Sequence, residues 1–171
     1  MSLKNIAFIG SLAVLTFSSS GSAAPADPFS EADKAFVAKV SQGGMYEVAL
    51  GKLAESRATT QDVKDSGNTE AHDHMLVGDK LKSIVVANGM EFPAALNDSF
   101  QSRLNAIGAL PAGQFDAAYI QDMKKIHEAD GAAFAREATS GTNPDLKAFA
   151  SETYRIVQRH LGELRAQVRD F

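Results

Sequence analysis

The sequence contains no cysteine and no tryptophan, and it uses glycine and proline sparingly. Without cysteine there is no disulfide framework, no thiolate metal ligand, no cysteine nucleophile and no lipid anchor on an N-terminal cysteine. Thirteen glycines and five prolines in 171 residues are too few for a disordered low-complexity chain. A chain of this length is long enough for one domain with a substantial core.

Long apolar runs are also scarce, and the longest one lies at the N-terminus. The apolar stretch 6–17 follows the positively charged Lys4, and small residues fill positions 18–24. This order is typical of a secretory signal peptide, with cleavage after a small residue: Ala23, Ala24 or Ala26. The run is shorter than the roughly 20 apolar residues that span a bilayer, and no later segment approaches that length. We therefore predict a signal peptide over 1–24, a tail over 25–32, one domain over 33–171, and an exported bacterial protein, periplasmic or secreted, whose mature chain has no transmembrane segment.

The sequence has fewer positively charged residues than negatively charged ones. Acidic residues outnumber lysine and arginine by 21 to 17, which gives a formal net charge of −4. Cleavage after residue 24 removes Lys4 and no acid, so the mature chain carries −5. This balance argues against nucleic acid as a partner. It leaves protein partners and oligomeric state open.

Apolar residues recur at three- and four-residue steps through most of the chain, which is typical of amphipathic helices. No sustained alternation predicts a β-strand. Capping patterns at Ser30–Asp33 and Asn143-Pro144 mark two of the helix starts. We expect an all-α four-helix bundle with a short extra helix between the second and third long helices. The long helices are expected near 30–57, 59–88, 114–139 and 143–168, and the short one over 94–107. The short helix either caps one end of the bundle or forms part of a crossover.

Three histidines and one glutamate lie on the apolar faces of four different helices. They are His74, His127, His160 and Glu47. At about 1.5 Å rise per residue, their distances from the helix ends place all four near mid-bundle, within about one turn of each other. A buried glutamate is costly unless it is paired or binds a metal. These residues are therefore candidate ligands of a single transition metal ion, Zn, Fe, Mn or Cu.

Four acidic residues lie close to the histidines in sequence and are candidate additional ligands or outer partners that fix the imidazole tautomers. They are Glu70, Asp73, Asp130 and Glu163. The fourth histidine, His72, points about 200° away from His74 on the same helix and is expected to be exposed.

Two other classes of function compete with metal binding. The buried histidines and glutamate also suit a hydrogen-bonded polar layer that fixes helix register in a structural or stress-related envelope protein. An enzyme that activates water or oxygen at an open metal position is the least supported class. The sequence has no Ser-His-Asp order, no phosphate-binding loop and no outstanding pair of catalytic acids.

Several short motifs, taken in order, resemble the exported bacterial proteins of domain-of-unknown-function family 4142. The resemblance covers about Asp33 to Ala166 and implies a ferritin-like four-helix fold, an envelope location and no established activity. The chain departs from the Glu-x-x-His pattern of di-iron ferritin-like proteins, because its fourth long helix carries His160-x-x-Glu163, which is the reverse order. A single metal is therefore favoured over a di-iron centre. The motifs are Gly43–Val48, Leu50–Ala54, Asp73-His74, Phe115–Tyr119, His127, Leu146–Ala150 and His160-Leu161.

Overall fold

The computed structural model of the protein describes residues 28–167, which form five helices and no strand. The all-α prediction is confirmed, with four long helices and a short one in the expected order. The predicted signal peptide, the first three residues of the predicted tail and the last four residues of the chain lie outside the described part. The helices are α1 (Glu31–Arg57), α2 (Gln61–Ala87), α3 (Asp98–Gly108), α4 (Ala112–Ser140) and α5 (Pro144–Gln167).

Both predicted capping patterns start helices. Ser30 Oγ accepts a hydrogen bond from the Asp33 amide at 3.1 Å, and the Asp33 carboxylate accepts one from the Ser30 amide at 2.8 Å. Asp33 also accepts from the Thr142 amide at 3.0 Å, so the start of α1 is tied to the loop between α4 and α5. At the start of α5, Asn143 Oδ1 accepts from the Leu146 amide at 3.0 Å. These bonds satisfy amides that would otherwise lack a partner at a helix N-terminus.

The short helix begins at Asp98, four residues later than predicted. Gln42 on α1 holds the preceding segment out of the helix, because its Nε2 donates to the Ala95 carbonyl at 3.1 Å and its Oε1 accepts from the Asn97 amide at 2.7 Å. Asn97 then caps α3 by accepting from the Phe100 amide at 2.9 Å. A side-chain contact from another helix therefore decides this boundary.

The structure also decides how the two helix pairs are joined. α1 packs chiefly on α2, and α4 packs chiefly on α5, while α1 also contacts α4 and α2 contacts α5. Asp116 at the start of α4 accepts a hydrogen bond from the Thr59 amide at 3.0 Å, so α4 begins beside the α1–α2 turn. Since α2 ends at the opposite end of the bundle from the start of α4, the connection through α3 must run along the length of the bundle. The short helix is thus part of a crossover that packs on α1 and α4.

The closest approach of α1 and α2 depends on two glycines. A Cβ atom at Gly67 would lie 2.6 Å from the Gly51 carbonyl oxygen and 2.8 Å from Ala54 Cβ. Only a residue without a side chain fits this position. Gly67 therefore permits close packing of the two backbones.

The apolar core is divided into two clusters along the bundle. One contains Val37, Leu81 and Phe149, and the other contains Val63 and Phe115. The predicted histidines lie between them along α2, α4 and α5. Within residues 28–167, no helix is both long and apolar enough to cross a membrane.

Candidate metal centre

Three histidine rings and one carboxylate converge between the two apolar clusters. His74 and Glu70 are one turn apart on α2, while His127 comes from α4 and His160 from α5. His74 Nε2, His127 Nε2, His160 Nδ1 and a Glu70 oxygen all lie within 4.8 Å of one another. His127 and His160 are 0% exposed and His74 is 3% exposed. The four groups therefore face one another with almost no access for bulk water.

The distances between these atoms suit a small ion. His127 Nε2 is 3.2 Å from both His74 Nε2 and His160 Nδ1. Glu70 Oε2 is 3.3, 3.2 and 2.8 Å from the nearest nitrogens of His74, His127 and His160. Four ligands at about 2.0–2.1 Å from a tetrahedral ion lie about 3.3–3.4 Å apart. The cluster matches that spacing with only small adjustments.

Each histidine also has a partner for its outer ring nitrogen. His74 Nδ1 lies 3.1 Å from Glu47 Oε2, and His127 Nδ1 contacts the Met123 carbonyl at 2.9 Å. His160 Nε2 contacts Asp73 Oδ2 at 3.0 Å. With protons on these outer nitrogens, the inner nitrogens of all three rings turn lone pairs towards Glu70. Metal-binding histidines in proteins are held by such outer partners.

The inner oxygen of Glu70 has no hydrogen bond within the described residues. Three ring nitrogens lie within 3.3 Å of it without a well-aligned hydrogen bond, and Glu47 Oε1, on the outer side of the rings, lacks a donor in the same way. A buried carboxylate oxygen without a donor is costly. A cation at the meeting point of the four groups would satisfy this oxygen and the three lone pairs together.

Burial and charge oppose each other at the site. Burial lowers the pKa of the His127 imidazole, but the charges of Glu47 and Glu70 outweigh it and raise that pKa to about 9. Burial also lowers the pKa of His74, but the negative charge of Glu47 outweighs it, so this pKa too is raised. Burial raises the pKa of the Glu70 carboxyl, but the three imidazoles outweigh it and hold the pKa well below its usual range. The cluster thus favours a charged Glu70 and a positive partner.

The structure places two glutamates on opposite sides of the histidine rings. Glu47 was expected among the ligands, but its carboxylate lies on the outer side of the rings, against His74 Nδ1 and, at 3.3 Å, His127 Nδ1. Glu70, expected as an additional ligand or outer partner, supplies the converging oxygen. The sequence does indicate that Glu70 can reach the same site as His74, because the two residues are four positions apart on one face of a helix.

The other three predicted acidic partners occupy three different environments. Asp73 contacts His160, as an outer partner should, and also pairs with Arg159. Asp130 is buried and forms its ion pair with Lys39 on α1. Glu163 is about half exposed and faces Arg159 at 3.9 Å, so the structure does not bring it to the cluster. His72 is exposed, as predicted.

Comparison with known proteins identifies relatives by family and by fold. The model of a family described as a domain of unknown function, DUF4142, matches residues 18–166. No curated protein matches the chain. Among solved structures, the fold is similar to the crystal structure of a DUF305 fragment from Deinococcus radiodurans, with a TM-score of 0.74 and 10% sequence identity, over 84% of this chain and 99% of that one. That likeness shows a shared helical fold, and the family match over nearly the whole helical domain shows that the chain belongs to the DUF4142 family.

Proposed function

We propose that the protein binds one transition metal ion through Glu70, His74, His127 and His160. The observation that carries the proposal is the convergence of three imidazole nitrogens and a carboxylate oxygen that has no hydrogen-bond donor. Glu47 and Asp73 hold the outer ring nitrogens and orient the rings. The site contains nitrogen and oxygen donors and no thiolate, which suits Zn, Fe, Mn or Cu.

The number and burial of the donors favour a site that holds its ion rather than one that exposes it to a substrate. Structural zinc sites are closed by four protein ligands, whereas catalytic ones keep a position for water. Here four donors come from three helices, and His127 and His160 are fully buried. A bound ion would join α2, α4 and α5 at mid-bundle and contribute to folding stability.

The test is elemental analysis of the protein purified from its native compartment without a polyhistidine tag. We expect about one equivalent of a transition metal per chain, lost in His74→Ala and His127→Ala. His72→Ala is the matched control, because His72 lies on the same helix but is exposed. If His74→Ala retained as much metal as the unmodified protein, the proposed site would be wrong.

A second candidate is a purely architectural polar layer. It is favoured by the raised pKa of His127, because a protonated imidazole beside Glu70 forms an ion pair without a metal. This candidate predicts protein purified without metal, and a melting temperature that does not change on addition of Zn, Fe, Mn or Cu. Chelators would then leave the stability unchanged.

We further propose that the protein is exported. This part rests on the N-terminal sequence, with Lys4, an apolar run and small residues up to Ala26. N-terminal sequencing of the protein from the periplasm or medium should then find a chain that begins at Ala24, Pro25 or Asp27. A chain found only in the cytoplasm with Met1 retained would contradict export.

A further inference from the structure

A large cavity opens between α1, α2 and the segment that leads from α2 to α3. Its volume is about 470 Å³, within the range of small-molecule sites in proteins. Phe134 and Phe149 from the apolar core line it, as do Phe92 of the connecting segment and His74 of the proposed metal centre. The cavity therefore extends from the surface into the core.

Two glycines leave room in the walls of this cavity. A Cβ atom at Gly44 on α1 or at Gly78 on α2 would meet no atom within 4 Å. This contrasts with Gly51 and Gly67, where the same two helices are in close contact. Glycine within a helix costs about 1 kcal/mol relative to alanine, and no packing contact requires it at Gly44 or Gly78. Both glycines keep open a space that ordinary side chains would fill.

The lining determines what kind of molecule fits. Three phenylalanine rings and the thioethers of Met45 and Met75 provide surfaces that pack well against an aromatic ring. Apart from His74, the charged residues that line the cavity are Asp79 and Lys82, both exposed and of opposite sign. Because these two charges are of opposite sign and both face solvent, the lining gives the cavity no net charge of its own, which favours a neutral ligand over a charged one.

One buried hydroxyl offers a polar contact. Ser41 lines the cavity, is 3% exposed, and donates its own proton to the Ala38 carbonyl at 3.3 Å. The Ser41 oxygen therefore retains lone pairs that can accept a hydrogen bond from a bound molecule. Apolar walls with a few placed polar groups are characteristic of ligand pockets.

We propose that this cavity binds a neutral aromatic small molecule that carries one hydrogen-bond donor. The proposal is independent of the metal, since the aromatic walls, the open glycine positions and Ser41 lie outside the four-ligand cluster. His74 borders both sites, so His74 variants play no part in the test.

The test uses N-phenyl-1-naphthylamine, a neutral aromatic amine with one N–H donor whose fluorescence rises in apolar surroundings. Titration of the purified protein should show saturable binding to one site. Gly44→Leu and Gly78→Leu place a side chain in the cavity and should each weaken binding by about tenfold or more. Gly162→Leu is the matched control, because Gly162 is another helical glycine with open space around it but does not line the cavity. It should leave binding unchanged.

The Leu variants are expected to fold, since leucine favours helix over glycine and the space is open; circular dichroism checks this. Absence of saturable binding, or equal affinity in Gly78→Leu and the unmodified protein, would overturn the proposal. Probe binding that falls as the protein self-associates at higher concentration would also overturn it, and would identify the cavity mouth as a contact between two copies of the chain.

Discussion

Exchanging each of the two buried glutamates beside the histidines for alanine tests the geometry of the proposed metal centre most directly. Glu70 and Glu47 are both 2% exposed, and both lie close to His74 and His127. They differ in which side of the rings they contact. Glu70 reaches the inner nitrogens, where an ion would sit, whereas Glu47 reaches the outer ones. We therefore expect Glu70→Ala to weaken metal binding more than Glu47→Ala does.

The size of the difference follows from the number of ligands. Structural zinc sites release about 10–16 kcal/mol on binding, so one ligand of four accounts for about 2.5–4 kcal/mol, or about 70- to 900-fold in affinity. Loss of an outer partner costs about 10- to 100-fold. Competition titration against a chromophoric chelator at fixed pH measures both losses on one scale.

The control for both variants is Glu163→Ala. Glu163 is about half exposed on α5 and lies outside the cluster, so its loss should leave metal affinity unchanged. If Glu47→Ala weakened binding as much as Glu70→Ala, or more, the assignment of Glu70 as the ligand would be refuted. Glu47 would then be the carboxylate ligand, as the sequence predicts.

Three further predictions concern the outer partner, the helix contact and a buried acid. Asp73→Asn should weaken metal affinity by about 10- to 100-fold, because it loosens the hold on His160, while His72→Ala should have no effect in the same titration. Gly67→Ala should destabilise the fold by about 1–3 kcal/mol, because the added methyl group overpacks against α1, whereas Gly162→Ala should stabilise it by about 1 kcal/mol. Urea denaturation measures the free energy of unfolding of both variants. If both variants changed this free energy in the same direction, the packing argument would be contradicted. Burial, then the nearby Asp33, raises the pKa of Glu137 from 4.5 to about 7, so the stability that this group contributes below pH 4.5 is lost as the pH rises through about 7. Glu137→Gln should flatten the dependence of melting temperature on pH across that range, and parallel curves for variant and parent would refute the assignment.

Local signals in the sequence were sufficient to predict the long helices. The capping residues Ser30 and Asn143 marked the starts of α1 and α5, because a side chain that accepts from nearby amides acts within one turn of chain. The start of α3 was predicted too early, since the Gln42 side chain that holds residues 95 and 97 comes from another helix. Contacts of this kind leave no periodic trace in the sequence.

At the candidate site, too, the sequence predicts what depends on spacing along one helix and misses what depends on contacts between helices. Periodicity identified the three inward histidines and the exposed His72, because a helix repeats every 3.6 residues and the apolar stripe marks its inner face. Periodicity did not indicate that Glu70, rather than Glu47, lies against the inner ring nitrogens, since both residues lie on inward helix faces at nearly the same height in the bundle. It also placed Glu163 beside the cluster, whereas α5 directs this residue to the surface.

The sequence by itself determined the number of helices, their inner faces and the level of the polar layer, since each depends on spacing along one helix. The tertiary structure decided the crossover through α3, which sides of the histidine rings Glu70 and Glu47 contact, and the cavity beside His74. These features depend on how each helix is rotated about its own axis and how closely it meets its neighbours. That geometry is set by contacts between distant residues, such as the approach of Gly51 to Gly67.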